Sequence, residues 1–273
     1  MSKIWFITGS SRGLGRQFAK AALSRGDKVA ATARNADSLA DLVAAHGDAV
    51  LPLTLDVTDK TAVTAAVQQA HEHFGRLDAV VNNAGYSVFG MVEELSERDI
   101  RAQFETNLFG SLWVTQAALP YLRAQGSGHL VMVSSMLAHT TFPTMGAYTA
   151  SKTAVEGFAD ALAQEVAGFG IKVTVVEPGP FSTDLGKSAV SAEPLAAYDG
   201  VREAVMAGFT AMPLPAPHGV GPALLKLVDA DNPPLRVFFG TLPHQLVPQV
   251  YAERLKTWEE WAELSAAAEA HQS

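Results

Sequence analysis

Short β-branched runs alternate with longer stretches of helical periodicity along the chain, and this alternation constrains the fold more than any other feature. It is the pattern of a parallel sheet covered by helices on both faces. The runs lie at Lys3–Thr8, Lys28–Ala33, Val50–Leu55, Ala79–Asn82, His129–Val133, Lys172–Val176 and Arg236–Phe239. Helical periodicity falls at about 13–25, 36–46, 59–74, 97–124, 149–168 and 219–230. The early runs are almost wholly apolar, as expected of strands buried on both faces. The reading is an α/β fold, a doubly wound, mostly parallel seven-stranded sheet, forming one domain over 1–273.

Two regions break the rhythm. Residues 182–218 carry no strand pattern and end in Met212-Pro213-Leu214-Pro215-Ala216-Pro217; so long a connection reads as a lid, with a static pair of packed helices as the alternative. In the lid reading the glycines at 186, 200 and 208 are flexible points, and Leu185, Val205, Met206 and Phe209 close on substrate. From His244 onward the chain reads as a helical tail, with Trp258 and Trp261 three apart on one face.

Directly after the first run comes Thr8-Gly9-Ser10-Ser11-Arg12-Gly13-Leu14-Gly15, and a helix follows. Glycines let a backbone turn sharply and approach a pyrophosphate, while the helix start supplies free N–H groups and a positive dipole end. The spacing G-x-x-x-G-x-G departs from the general dinucleotide fingerprint G-x-G-x-x-G. In a doubly wound pattern it still marks a Rossmann-type dinucleotide-binding domain.

Composition excludes several functions. The chain has 273 residues with a net charge of −8, and no basic surplus exists to neutralise phosphates, so nucleic acid is not an expected partner. The absence of cysteine rules out disulfides, thiolate catalysis and cysteine metal sites, and fits a cytoplasmic location. No run reaches the roughly 18 apolar residues of a membrane span. The opening apolar segment is too quickly interrupted by glycines and Arg12 for a signal peptide. None of the eight histidines makes a metal pattern, and His71 and His73, two apart in a helix, read as solvent-facing.

Tyr148 and Lys152, four apart near the start of a helical stretch, share one face. A phenol titrates near pH 10, and a neighbouring ammonium together with an oxidised nicotinamide would lower that value toward a useful acid/base. Ser135 closes the fifth run at the carboxyl edge, where doubly wound sheets bind ligands, and its hydroxyl can donate to a substrate oxygen. Neighbouring Ser134 points to the opposite face of the strand.

These landmarks, with Asn82-Asn83-Ala84-Gly85, Asn107 and Pro178-Gly179-Pro180, occur in the order found in the short-chain dehydrogenase/reductase family, which the chain resembles from residue 8 to about 183. The likeness is to NADP-type, core-length members similar to bacterial 17β-hydroxysteroid and retinol dehydrogenases. It implies hydride transfer between NADP(H) and a carbonyl or secondary alcohol, on a bulky hydrophobic small molecule. Asn107, Ser135, Tyr148 and Lys152 would form the catalytic set, with Asn107 holding a water beside Lys152 or, alternatively, being a buried asparagine paired with backbone. Gly9, Ser11, Arg12, Gly13, Leu14 and Gly15 would cradle the cofactor. Asp56 and Val57 would contact its adenine, although Asp56 could cap the helix beginning near Asp59. Asn82, Ala84 and Gly85 would line the groove, Asn83 would tie strands together, and Tyr148 and Lys152 would hold the nicotinamide ribose. Pro178, Gly179, Phe181 and Thr183 would meet the carboxamide. Ala138 departs from the glycine many relatives carry there.

Ala33 and Arg34 end the second run without a carboxylate, so Arg34, with Arg12, would grip a 2′-phosphate; the bland reading is two solvated arginines. Met136, Leu137, Phe142, Phe89 and Phe181 flank the set and suit either an apolar pocket or core. The resemblance also implies a homodimer or homotetramer. Phe158, Leu162 and Val166 would supply the apolar stripe, unless that stripe only faces the monomer's own sheet.

Overall fold

The computed structural model describes residues 2–183, 189–212 and 214–269. Strands β1 (Ile4–Ile7), β2 (Lys28–Ala33), β3 (Val50–Thr54) and β4 (Ala79–Asn82) alternate with helices α1 (Gly13–Ser24), α2 (Ala40–His46) and α3 (Lys60–Phe74). A short strand β5 (Val88–Phe89) leads to α4 (Glu97–Phe104), α5 (Gly110–Gln125), β6 (Gly128–Val133), α6 (Gly146–Val166) and β7 (Ile171–Pro178). Then come β8 (Val190–Ser191), α7 (Asp199–Ala211), α8 (Val220–Asp229), β9 (Arg236–Phe239), α9 (Leu242–Glu260) and α10 (Ala262–Ala267).

The main sheet has seven strands in the order β3-β2-β1-β4-β6-β7-β9, every pair parallel. This is the doubly wound α/β arrangement expected from the alternation. The period of two along β1 sorts its residues between layers. Phe6 joins α3, α5 and α6 on one face, while Trp5 and Ile7 join α1, α2 and α8 on the other. Trp5 and Phe6 are fully buried, each contributing roughly 1.5–3 kcal/mol of apolar burial. The strand order reverses between β1 and β4, which opens a crevice at their carboxyl ends.

The structure redraws several elements. The helix expected over 97–124 is two helices joined by a π-turn, Glu105–Phe109, which holds Asn107. A Cβ on Gly110 would lie 2.6 Å from Val57 Cγ2, so the helix after the turn packs close under the β3 exit. The helix expected from 149 begins at Gly146, which puts Tyr148 in its first turn. Residues 36–39 form a 3₁₀ turn ahead of α2. The 182–218 connection is not strandless: β8 pairs parallel with β5 through Val88↔Val190 and Phe89↔Ser191. Leu185 and Gly186 of the expected lid, and Pro213, lie outside the described residues. The tail helix breaks at Trp261, between α9 and α10, and both tryptophans are exposed. No helix among the described residues is long and apolar enough to cross a membrane.

Candidate active site

The chain leaves β1 into the glycine turn. Gly9 and Gly13 adopt φ of 67° and 57°, a region costly for residues with a Cβ. A Cβ on Gly15 would stand 2.3 Å from Asn83 Nδ2 and 2.5 Å from Gly9 O, so α1 can approach the turn only with glycine there. Asn83 locks the turn to the β4 exit, donating from Nδ2 to Thr8 O (2.9 Å) and Gly9 O (3.2 Å). Thr8 Oγ1 accepts from the N–H groups of Asn83 (2.9 Å) and Ala84 (3.0 Å).

Arg12 stands at the N-cap of α1 but gives no side-chain cap, and the first turn holds no acidic residue. Among the described residues no side chain caps the leading N–H groups of α1, the condition under which a helix start suits an anion. Ser11 and Leu14 are half-buried at this helix start. Arg12 and Arg34 are exposed, and neither has a side-chain hydrogen bond or ion pair among the described residues. Arg16, by contrast, is spent on Asp41 and Ser38 O. Ala33 at the β2 end is buried, and no carboxylate follows directly.

Farther along the crevice, Asp56 Oδ1 accepts from Thr58 N (3.0 Å) and Thr58 Oγ1 (2.8 Å). Asp59, not Asp56, caps α3, accepting from Ala62 N at 2.9 Å. Asp56 is thus an exposed, oriented carboxylate, and Val57 is buried beneath Gly110. The Asn82 side chain does not line the groove. It turns into the protein, donating to Thr115 Oγ1 and Met132 Sδ (both 3.1 Å), because its strand position faces the α5 layer. Gly85 lies close to Asn107 and Lys152: a Cβ there would be 3.0 Å from Asn107 Oδ1 and 3.5 Å from Lys152 Nζ.

Ser135 leaves β6 extended, and its Oγ accepts from Leu137 N at 3.1 Å, which leaves the hydroxyl proton to donate. Tyr148 and Lys152 are both buried on one face of α6, with Nζ 5.8 Å from the phenol ring centroid. Nζ donates to Val133 O at 2.8 Å. Burial pushes the Tyr148 phenol up to about 12, opposed by a hydrogen bond with Ser135. Burial also brings Lys152 down to about 8, opposed by the Glu156 charge. The lowering expected from the ammonium together with an oxidised nicotinamide is a property of the loaded site; in the chain alone burial dominates the phenol, and Lys152 Nζ is committed to Val133 O. Just ahead of α6, Thr144 is the one described non-glycine residue at positive φ (75°), and its carbonyl accepts from Gly90 N at 3.0 Å. Such strain persists where the surroundings impose it, here at the entry to the Tyr148 turn.

Asn107 is fully engaged by protein. Its Nδ2 donates to Tyr86 O and Ser151 Oγ, and its Oδ1 accepts from Tyr86 N, each at 3.0 Å. The structure favours the buried asparagine paired with backbone, clamping the 85–86 segment to the residue beside Lys152. At the other wall, Pro178 ends β7, and Gly179 N donates to Phe239 O at 2.8 Å. Half-buried Phe181 packs on the α1-side layer. Thr183 faces the glycine turn, its Cβ 3.9 Å from where a Cβ on Gly13 would be.

The short chain dehydrogenase family model matches residues 3–194. The chain belongs to the short-chain dehydrogenase family. An oxidoreductase of Botryotinia fuckeliana, BOA17, is 43% identical over 272 residues, 98% of this chain and 99% of its own length. A 3-ketodihydrosphingosine reductase of Bacteroides thetaiotaomicron is 32% identical over 261 residues, 94% of this chain and 93% of its own. A crystal structure of a short-chain dehydrogenase from Streptomyces avermitilis superimposes with TM-score 0.93 at 36% identity, covering 99% of this chain and all of that one. An alcohol dehydrogenase from Thermococcus sibiricus, complexed with 5-hydroxy-NADP, gives 0.74 at 26% identity, covering 88% of this chain and 96% of that one. This short-chain dehydrogenase is an oxidoreductase.

Motif reading of a short-chain dehydrogenase does not reach every residue around the site. His139, Glu156 and Glu177 meet behind α6, each offering a ligand-type atom within 4.8 Å of the others, although no local spacing pairs them. The visible signal was Glu177, a lone carboxylate in the apolar run Lys172–Pro178. Glu94 is a second case: it binds Arg202 (2.6 Å), Leu195 N (2.9 Å) and Met91 N (2.8 Å), latching α7 to the segment after β5. His71 is half-buried and stacks on Tyr121, centroids 4.3 Å apart, rather than facing solvent. Leu162 and Val166 belong to the monomer's own core; only Phe158 of the expected stripe is exposed.

Proposed function

We propose that the protein transfers a hydride between NADP(H) and the carbonyl or secondary alcohol carbon of a bulky hydrophobic small molecule, with Tyr148 as general acid/base. One observation carries the reading: Ser135, Tyr148 and Lys152 converge at the carboxyl edge of the sheet, on the same edge as the start of α1, which has no side-chain cap, and as Arg12 and Arg34, which have no side-chain partner among the described residues. The bound nicotinamide supplies or accepts the hydride. Tyr148, its phenol protonated at neutral pH, donates a proton to the substrate oxygen during reduction. Ser135, its Oγ already accepting from Leu137 N, directs its proton to the same oxygen. Lys152 turns from Val133 O to the ribose hydroxyls, and Asn107 holds the backbone against which it moves.

Arg34 and Arg12 favour a 2′-phosphate. If each charge-assisted contact contributes roughly 1.5–3 kcal/mol, NADPH is preferred by about 10²–10⁴-fold. Asp56 and Val57 take the adenine end, Gly9 to Gly15 the pyrophosphate, and Pro178, Gly179, Phe181 and Thr183 the carboxamide. Val92, Leu195, Val201, Met206 and Leu214 leave apolar surface exposed on the 88–95 and 189–214 segments, which suits a bulky apolar substrate. The NADP analogue on the Thermococcus relative and the name of the Bacteroides reductase support the same choices. One domain would carry both jobs, with 182–218 as its cover and 244–273 as a helical tail. A homodimer or homotetramer would form across the groove between α5 and α6, where Phe158 is exposed.

The test is nicotinamide absorbance with steroid, quinone and long-chain 3-keto substrates, using NADPH and NADH in parallel. A kcat/KM ratio of about 10² or more for NADPH is expected, reduced in Arg34→Ala. Equal efficiencies with both cofactors would overturn the cofactor choice, and no turnover with any ketone would overturn the reaction.

A further inference from the structure

The hydride-transfer reading leaves unused a charged cluster behind the catalytic helix. His139 follows the Ser135 turn, Glu156 lies one helical turn beyond Lys152, and Glu177 precedes Pro178; their exposures are 7%, 6% and 1%. His139 Nε2 is 3.0 Å from Glu177 Oε2 and 3.5 Å from Glu156 Oε2. Its Nδ1 is 2.8 Å from Tyr251 Oη on α9, and its carbonyl accepts from Arg254 at 2.8 Å. From β9, Arg236 Nε lies 3.4 Å from Glu156 Oε2 and 3.5 Å from Glu177 Oε1, while its Nη2 reaches Asp160 at 2.7 Å. Ser134 Oγ donates to Glu156 Oε1 at 2.7 Å. The Phe238 ring meets both His139 and His244 edge-on.

We propose that His139, held as an imidazolium, is a positioning residue that balances the charge of the buried carboxyl pair Glu156 and Glu177 and, through Glu156, keeps Lys152 in its charged form. The proposal rests on the role given to Lys152 above. Two buried carboxylates face one guanidinium that also serves the more exposed Asp160, so the buried pair lacks at least one positive charge, and burying an unbalanced charge is costly. A proton on Nε2 fills that deficit where two acceptors would otherwise sit 3.0 Å apart. A divalent cation suits the cluster less well, because Arg236 already lies against both carboxylates. The balance runs on toward the active site. Glu177 raises the His139 pKa, with Glu156 adding to the effect and burial opposing it. The Glu156 charge in turn opposes the desolvation that brings Lys152 down to about 8. Sequence spacing supports the coupling, since Tyr148, Lys152 and Glu156 recur at i, i+4 and i+8 on α6.

The experiment uses the full chain without cofactor and then with NADPH. In lysine-labelled protein, NMR should show Lys152 titrating near 8 in the wild type. The midpoint should fall by about one pH unit in Glu156→Gln, and by less in His139→Gln. NADPH affinity, read by fluorescence, should be lost at correspondingly lower pH in both variants, yet stay within about threefold of wild type in acid. A purely structural role would instead weaken binding equally at every pH, and that result overturns the proposal. So does an unmoved Lys152 midpoint. Nitrogen shifts of a neutral His139 ring in the wild type at pH 7 would overturn it without any substitution. Stoichiometric zinc uptake lost in His139→Gln would do the same. Failure of the wild type to bind NADPH would count against the cofactor reading alone, because the free-protein titrations stand apart from it.

Discussion

Replacing Lys152 with methionine should make the free protein more stable at neutral pH while removing its activity. Lys152 is 5% exposed, and burial holds its ammonium near 8 where an unfolded chain titrates near 10.5. Below 8 both states carry the proton, and folding must desolvate a charge the unfolded chain keeps in water. That difference costs the native state about 3 kcal/mol, within a range of roughly 2–5. Methionine has nearly the same shape and no charge, but it abandons the hydrogen bond to Val133 O, worth about 1 kcal/mol. The net expectation is a gain of about 2 kcal/mol at pH 7. Because the folded pKa is the lower one, the unfolded chain holds more protons between 8 and 10.5, so wild-type stability rises with pH through that window. The advantage of the variant should therefore shrink from pH 8, vanish at about 9.5 and turn into a deficit of about 1 kcal/mol by 10.5, where only the lost Val133 bond remains. Urea unfolding of both proteins at pH 7, 9 and 10.5 measures this directly. A methionine variant less stable than wild type at pH 7, or a gain that ignores pH, would refute the reasoning.

Tyr148→Phe should lower kcat by about 10²–10⁴-fold with little change in NADPH affinity, since only the proton donor is removed; stopped-flow turnover and fluorescence titration separate the two. Gly15→Ala should destabilise the fold and abolish cofactor binding together, because its methyl would meet Asn83 Nδ2 and Gly9 O at 2.3 and 2.5 Å; thermal melts with and without NADPH would show it. Glu94→Gln should raise hydrogen exchange across 190–212, through loss of the Arg202 pair, without changing exchange in the sheet. Arg202 holds the Glu94 carboxyl down to about 2, so in the wild type this latch should persist as pH falls to 4.

The sheet was legible because its signal is local and repeated: apolar runs, turn glycines and helical stretches each announce themselves within a few residues. All seven main strands fall where their β-branched runs lie. The glycine turn was legible for the same reason, since Gly13 takes a positive φ, Gly15 leaves no room for a Cβ and Asn83 ties the turn to the β4 exit. What could not be read depends on contacts distant in sequence. The π-turn at Asn107 arises where α5 must pack closely over Val57, some fifty positions earlier. Asn82 and Asn83 look alike as a dipeptide, yet strand alternation sends one into the α5 layer and the other to the turn. The β5–β8 pair joins residues about a hundred apart through strands of two residues each, too short to carry a pattern.

Helix α6 joins these two kinds of information. Its buried face runs Tyr148, Ser151, Lys152, Val155, Glu156, Ala159, Leu162 and Val166. The spacing is that of an amphipathic helix, but the first half of the stripe is polar where a core demands apolar residues. Each of those groups is expensive to bury unless partnered, and each has its partner: Ser151 on Asn107, Lys152 on Val133, Glu156 on Ser134, His139 and Arg236. The second half supplies none of the chemistry and anchors the helix in the layer shared with α3 and α5. A helix built only from the first half would find more stable apolar replacements, and one built only from the second would lack the groups given to proton transfer in the proposed reaction. Joining the two on one rigid rod holds Tyr148 and Lys152 in place relative to Ser135 at the end of β6, so the cost of the buried charges is borne by packing two turns away.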